Sequence, residues 1–460
     1  MLDLRHPFSI PPTEDTPMIV ASSRSPLRRP SGRPHGVVAA SGAIACLLLG
    51  SAGAKADDYE IGQVQLQLSP GVTIETINAR YGTTTLKALD PLSLVDVPSG
   101  STEDGVIALM EVDPDIAEVE YAWEGETPEG TRAMVVAVVG GTITQYQDQG
   151  VVSRIHLPEI QQHTLGEGVT IAVIDGGVNA AHPALAGAIL PNGWDFVDND
   201  ADPSDTANGL DDDNDTLIDE GAGHGTMIAG IVHLVAPGAK ILPIRVMNDE
   251  GRGETFTVAQ GIRYAIEHGA DVINLSLGLD SHVFTLRHEV EFASASGITV
   301  VGAAGNQAAA SLLYPAREEV CVSVTALDSL DIKASFANYH HDVNVSAPGD
   351  GILAPYYDGG WAIGAGTSFA SPFVAGQAAP IRALNPGLSA WQVRSVIKQG
   401  VVPIDQIPGA RCFSGTGRID GLATSPPPPR RGLGGAEGRR CAWAPGRISV
   451  PRRRCASLGR

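Results

Sequence analysis

The chain has 460 residues, 43% of them hydrophobic, enough for two or three domains with sizeable cores. Its formal charge is −21 although both ends are Arg-rich, and so acidic a body argues against a nucleic-acid partner, whose phosphates call for a basic face. Five scattered cysteines, none in a Cys-x-x-Cys pair, give little support to zinc or dithiol chemistry.

In chain order, an Arg-rich stretch (24–33) precedes an apolar run from Val37 to Leu49 and an Ala54-Lys55-Ala56 site. This predicts a signal peptide with an extended basic region over residues 1–56, and hence a secreted protein, extracellular or periplasmic. The apolar run is too short for a stable membrane anchor. Cys46 would leave with it. Of the others, Cys441 and Cys455 pair most easily by proximity, and free or buried thiols fit equally well.

Residues 57–125 read as a small α+β unit. Strands are expected at Val64–Leu68, Leu92–Pro98 and Ile116–Tyr121, and helices at Val72–Tyr81 and Asp104–Glu111. That order of elements suggests a ferredoxin-like sandwich. A Gly- and Val-rich linker, 126–144, follows. From 145 to 424 the pattern is different. Unalternated apolar runs at Val169–Ile174, Ile241–Val246, Val272–Leu275, Ile298–Val301 and Val320–Val324 alternate with helical stretches such as Thr257–His268. Strands buried on both faces between helices predict a parallel α/β sheet, with sites beyond the carboxyl ends of the strands. Ser425-Pro426-Pro427-Pro428-Pro429 marks a boundary, and the Arg-rich tail over 425–460 is expected to be disordered.

Three residues at strand or helix junctions suggest nucleophilic catalysis. Asp175 ends the first buried run. His224 sits in Gly223-His224-Gly225-Thr226, where its ring could be exposed at a helix start. Ser368 opens an apolar helix, expected over Ser368–Ala379, after Gly366. A serine activated by a histidine that a carboxylate orients needs these three types. Each also has a bland reading, as a turn-capping Asp, a structural His and an N-cap Ser. Asn306, after Ala303-Ala304-Gly305, could donate to a developing oxyanion together with the Ser368 N–H. Ser276-Leu277-Gly278 could pair with an extended peptide, with Gly251-Arg252-Gly253-Glu254 as the strand on its other side.

With these boxes in this order, residues 145–424 resemble the subtilisin-like serine peptidases (subtilases), nearest to their thermitase-like branch. The resemblance implies a seven-stranded parallel sheet with helices on both faces and endopeptidase action on protein or peptide substrates. Asp175, His224, Ser368 and Asn306 would be catalytic, and Ser276, Leu277, Gly278, Gly253, Ala304 and Gly305 would bind substrate. It also implies that 57–125 is a propeptide that inhibits its own enzyme until it is cut off within 126–144, and that the mature protein is a monomer. The alternative is a catalytically inactive, calcium-dependent binding protein on the same fold. Phe369 stands where the family usually has Met, and Pro380 predicts a kink or an early end to the Ser368 helix.

An acidic insert lies between the Asp and His boxes. The resemblance implies calcium at its first stretch, with Asp195 and Asp200 joined by Asp198 or Asp202. In the second stretch, Asp211, Asp213, Asp215 and Asp219 have the alternation of an oxygen-ligand loop. It is not an EF-hand, because Thr216 stands where Gly is needed and Ala222 where the last Glu is needed. A solvated acidic loop is the plain alternative.

Overall fold

The computed structural model describes residues 59–127, 137–212, 216–404 and 415–422. The expected signal peptide, the tail, linker residues 128–136, Asp213, Asp215, Cys46, Cys412, Cys441 and Cys455 therefore lie outside the described residues.

The first unit runs β1 (Tyr59–Leu68), α1 (Ile74–Tyr81), β2 (Thr84–Leu89), β3 (Leu92–Asp96), α2 (Glu103–Met110) and β4 (Ile116–Glu126). Its strands lie side by side as β2-β3-β1-β4, every pair antiparallel. Val64, Leu66, Ile77, Val95, Val106 and Met110 form its core. Thr102 starts α2 by accepting from Gly105 N, which satisfies one of the free N–H groups of the first turn. The sequence reading missed β2, whose residues alternate between exposed and half-buried, and it stopped β4 five residues early.

After β5 (Ala137–Val139), three short helices follow: α3 (Ile143–Gln147), α4 (Gly150–Arg154) and α5 (Leu157–Gln161). The larger body then continues with β6 (Thr170–Asp175), β7 (Trp194–Asp195), α6 (His224–Val235), β8 (Lys240–Arg245), β9 (Arg252–Glu254), α7 (Thr255–Glu267) and β10 (Val272–Leu275). Next come α8 (Phe284–Ala295), β11 (Thr299–Ala303), β12 (Val322–Leu327), β13 (Val345–Pro348), β14 (Ile352–Pro355) and β15 (Trp361–Gly364). The last elements among the described residues are α9 (Thr367–Leu384), α10 (Ala390–Gln399), β16 (Val401–Val402) and β17 (Arg418–Ile419).

The main sheet has the order β16-β17-β13-β12-β11-β10-β6-β8-β7. Seven strands, from β13 to β7, run parallel. The expected seven-stranded sheet is extended at one edge by β17, which is parallel, and β16, which is antiparallel. Along β6, Ile171 and Val173 enter one core while Ala172 and Ile174 enter the other. A strand covered on both faces has no polar side to show, which is why the run reads as unbroken apolar sequence.

Helix α9 crosses the first core against α6. Gly376 makes this possible, since a Cβ there would lie 2.6 Å from Val235 Cβ. Pro380 does not end the helix, which continues to Leu384. Phe373, Val374 and Ile381 are fully buried around it, so packing holds the turn that has lost a backbone donor. Among the described residues no helix is long and apolar enough to cross a membrane.

Candidate active site

Asp175, His224 and Ser368 come from the end of β6, the start of α6 and the first turn of α9. Asp175 is fully buried, and its Oδ1 accepts from Gly176 N at 2.8 Å and from His224 Nδ1 at 2.7 Å. The capping bond and the imidazole bond therefore coexist on one oxygen. With Nδ1 donating, the ring presents Nε2 as its basic nitrogen.

His224 is 4% exposed rather than open at the helix start, and Phe369 packs edge-on against its ring at 5.8 Å between centroids. The flanking glycines are steric requirements. A Cβ at Gly223, whose φ is 89°, would lie 2.0 Å from the Tyr356 ring, and one at Gly225 would lie 2.0 Å from Gly177 O.

Asp205, which the sequence reading did not single out, braces this turn. Its carboxylate accepts from Gly223 N (2.8 Å), Thr226 N (3.0 Å) and Thr226 Oγ1 (2.6 Å). Burial pushes its carboxyl up to about 6, against the pull of those three donors. Its one legible signal was Thr226 beside the histidine; the partner lies 21 residues away.

Ser368 is not the N-cap of α9. Gly366 holds that position, and Ser368 Oγ donates to Ser276 O at 3.1 Å. The hydroxyl therefore sits at the positive end of a helix, beside the predicted substrate strand. Ser276 Oγ ties that strand to the helix by donating to Ser368 O at 2.9 Å.

Asn306 is fully buried, and its Oδ1 accepts from Thr367 N (2.9 Å) and Thr367 Oγ1 (3.0 Å). Those bonds fix the oxygen end of the carboxamide, so its NH2 end is the donor arm. The peptide units of Ala304 and Gly305 are engaged internally. Ala304 O accepts from Leu313 N and Asn338 Nδ2, Gly305 N donates to Thr367 Oγ1, and Gly305 O accepts from Asn338 N. These two residues therefore support Asn306. Asn338, a buried residue also missed in the sequence, is the common brace.

The predicted substrate strands hold a segment of the chain itself. The end of β4 pairs antiparallel with β9, placing Glu124 opposite Glu254, Gly125 opposite Gly253 and Glu126 opposite Arg252. Thr127 N continues that pairing by donating to Gly251 O at 3.0 Å, and on the other edge Gly278 N donates to Glu126 O at 3.0 Å. Leu277 is buried behind this strand. The rest of the first unit grips α7 and α8. Gln65 Nε2 donates to Thr255 Oγ1 at 2.6 Å, Lys87 reaches Glu254 and Thr257, and Arg287 pairs with Glu118. Glu120 accepts from Phe284 N (3.0 Å) and Thr285 N (3.2 Å) at the start of α8.

The two acidic stretches differ. In the first, Asp195 Oδ1 accepts from Val197 N and Asp198 N, while Arg245 pairs with Asp195 (2.6 Å) and Asp198 (2.7 Å). Asp200 Oδ1 accepts from Asp202 N. A guanidinium thus already balances half of that stretch.

In the second, Asp211 accepts from Thr216 N, and Asp219 accepts from Asn208 N and Gly209 N. Asp249 also accepts from Asn208 N, and burial with the adjacent Asp219 raises its pKa. Glu250 Oε2 is buried without a hydrogen bond. This surplus of negative charge fits a hard cation better than the first stretch does. Among the described residues, the ligand-type side chains that gather within 4.8 Å are instead His340, His341 and Asp342.

Comparison with known proteins gives one consistent answer. The sequence profile of the subtilase family matches residues 166–415. A thermophilic serine proteinase of Bacillus sp. (strain AK1) is 39% identical over 263 residues, covering 55% of this chain and 60% of the relative. Thermitase of Thermoactinomyces vulgaris is 37% identical over 277 residues, covering 58% of this chain and 92% of the relative. Among solved structures, fervidolysin from Fervidobacterium pennivorans, described as a keratinolytic enzyme related to subtilisin, aligns with a TM-score of 0.68 at 22% identity. That alignment covers 82% of this chain and 62% of fervidolysin, and it speaks to fold alone.

Proposed function

Because the chain belongs to the subtilase family, we propose that it is a secreted serine endopeptidase, made as a zymogen, whose triad is Asp175, His224 and Ser368. Ser368 Oγ attacks a peptide carbonyl while His224 takes its proton. Asp175 holds the imidazole in the tautomer with Nδ1 protonated and stabilises the imidazolium that forms. Asn306 Nδ2 and the Ser368 N–H receive the oxyanion. His224 then protonates the leaving amine, and water repeats the sequence on the acyl-serine.

The observation that carries this reading is the 2.7 Å Asp175–His224 bond in a buried site whose neighbouring strands pair with an extended segment. The same segment supports the zymogen reading: residues 57–125 act as an inhibitory propeptide whose last strand fills the cleft. Peptide turnover by Ser368→Ala tests it, with an expected loss of about 10⁶-fold in kcat, the scale found for the nucleophile of a subtilisin. Turnover retained within tenfold would refute the mechanism.

Calcium is proposed at the second acidic loop, where Asp219 and Asp249, which share the Asn208 N–H, would begin its ligand set. Bound there, it would supply charge balance and tie the loop to the residues leading into β9. Calcium in 100-fold excess over its Kd would stabilise the fold by about 2.7 kcal/mol. Chelation should lower the melting temperature of the wild type and leave Asp249→Asn nearly unmoved. An equal response in both would remove calcium from this loop.

A further inference from the structure

The register of the cleft segment carries information about substrates, on the premise that the cleft binds them as it binds Glu124–Thr127. Glu126 lies opposite Arg252 across the β4–β9 pair and is bonded to Gly278 on the other side. In that antiparallel register a strand's next-but-one residue falls opposite Ser276, whose carbonyl accepts from Ser368 Oγ. The residue opposite Ser276 therefore presents the carbonyl to be attacked, and the residue opposite Arg252 is the third before the cut bond.

Residues directly opposite on one face of a sheet are close enough for charge to count. Arg252 is also the charge that opposes the burial-driven rise of the Glu124 pKa. Two residues further back the situation is different. Glu124 faces Glu254, and the cation that reaches Glu254 there is Lys87, which belongs to the first unit. When that unit leaves, the cleft keeps one cation on this strand, Arg252, and loses the other.

We propose that Arg252 is a specificity-determining residue that selects peptides with an acidic side chain at the third position before the scissile bond. The guanidinium cannot lose its charge, so the preference holds across the working pH range and weakens with salt.

The test uses active enzyme obtained from the full chain and three internally quenched peptides differing only in Glu, Ala or Lys at that position, with the cut bond located by product mass. Wild type should show kcat/KM about 5-fold higher for Glu than for Lys, from exchanging attraction for repulsion. Arg252→Gln should bring the ratio close to one and Arg252→Glu should invert it. High salt should shrink the wild-type ratio, a measurement that stands even if a variant fails to mature. A wild-type ratio near one, or a ratio unmoved by salt and by Arg252→Gln, would overturn the proposal. No hydrolysis of any peptide would overturn the peptidase reading and this proposal with it.

Discussion

Asp205 holds three donors at the foot of the histidine helix. Replacing it with Ala leaves Gly223 N, Thr226 N and Thr226 Oγ1 without their acceptor in a buried place, which should cost about 2–4 kcal/mol of stability. Its titration has a definite sign. The carboxyl is raised from 3.8 to about 6, so the folded state favours the proton. The stability this lends is complete below about pH 3.8 and is lost as pH rises through about 6. Denaturation followed across that window should show a slope that Asp205→Asn flattens. Asn306 makes the complementary case in the proposed oxyanion site. Asn306→Ala should lower kcat by about 10²–10³, the range established on a subtilisin, with a much smaller change in KM. A fall in KM-linked binding alone would mean that its amide does not face the oxyanion.

At the scale of elements, the first unit is held by helix starts as much as by strand pairing. Glu120 closes the N-terminus of α8, and burial pushes its carboxyl up to about 8 although two backbone N–H groups pull it back. When the unit is detached, the value returns to about 4.5, so the grip is strongest below that pH and weakens as pH rises through about 8. In the full chain carrying Ser368→Ala, exchange protection of the Thr285 amide, corrected for intrinsic rates, should fall over that interval. The fall should vanish in Glu120→Gln. Protection that rises with pH would mean that the helix end favours the ionised carboxylate after all.

Seen as a whole, the molecule was legible in its sequence wherever one local pattern served one purpose. Strands β6, β8, β10 and β11 were readable because burial on both faces leaves each an unbroken apolar run. The turn that carries His224 was readable because Gly223 and Gly225 are fixed by close contacts and so frame His224 in the sequence. What escaped has no local pattern. β2 is a partly exposed edge strand, Asp205 and Asn338 act on residues 21 and 34 positions away, and Arg245 claims Asp195 from a strand 50 residues on. Pro380 does not end α9 because packing across the helix outweighs one lost hydrogen bond. The central claim concerns three residues brought together from all this, and covalent capture tests it most directly. A fluorophosphonate probe added to wild-type enzyme should form one stoichiometric adduct, located on Ser368 by peptide mass. His224→Ala and Ser368→Ala should stay unlabelled. No adduct on wild type, or one at a residue other than Ser368, would contradict the account.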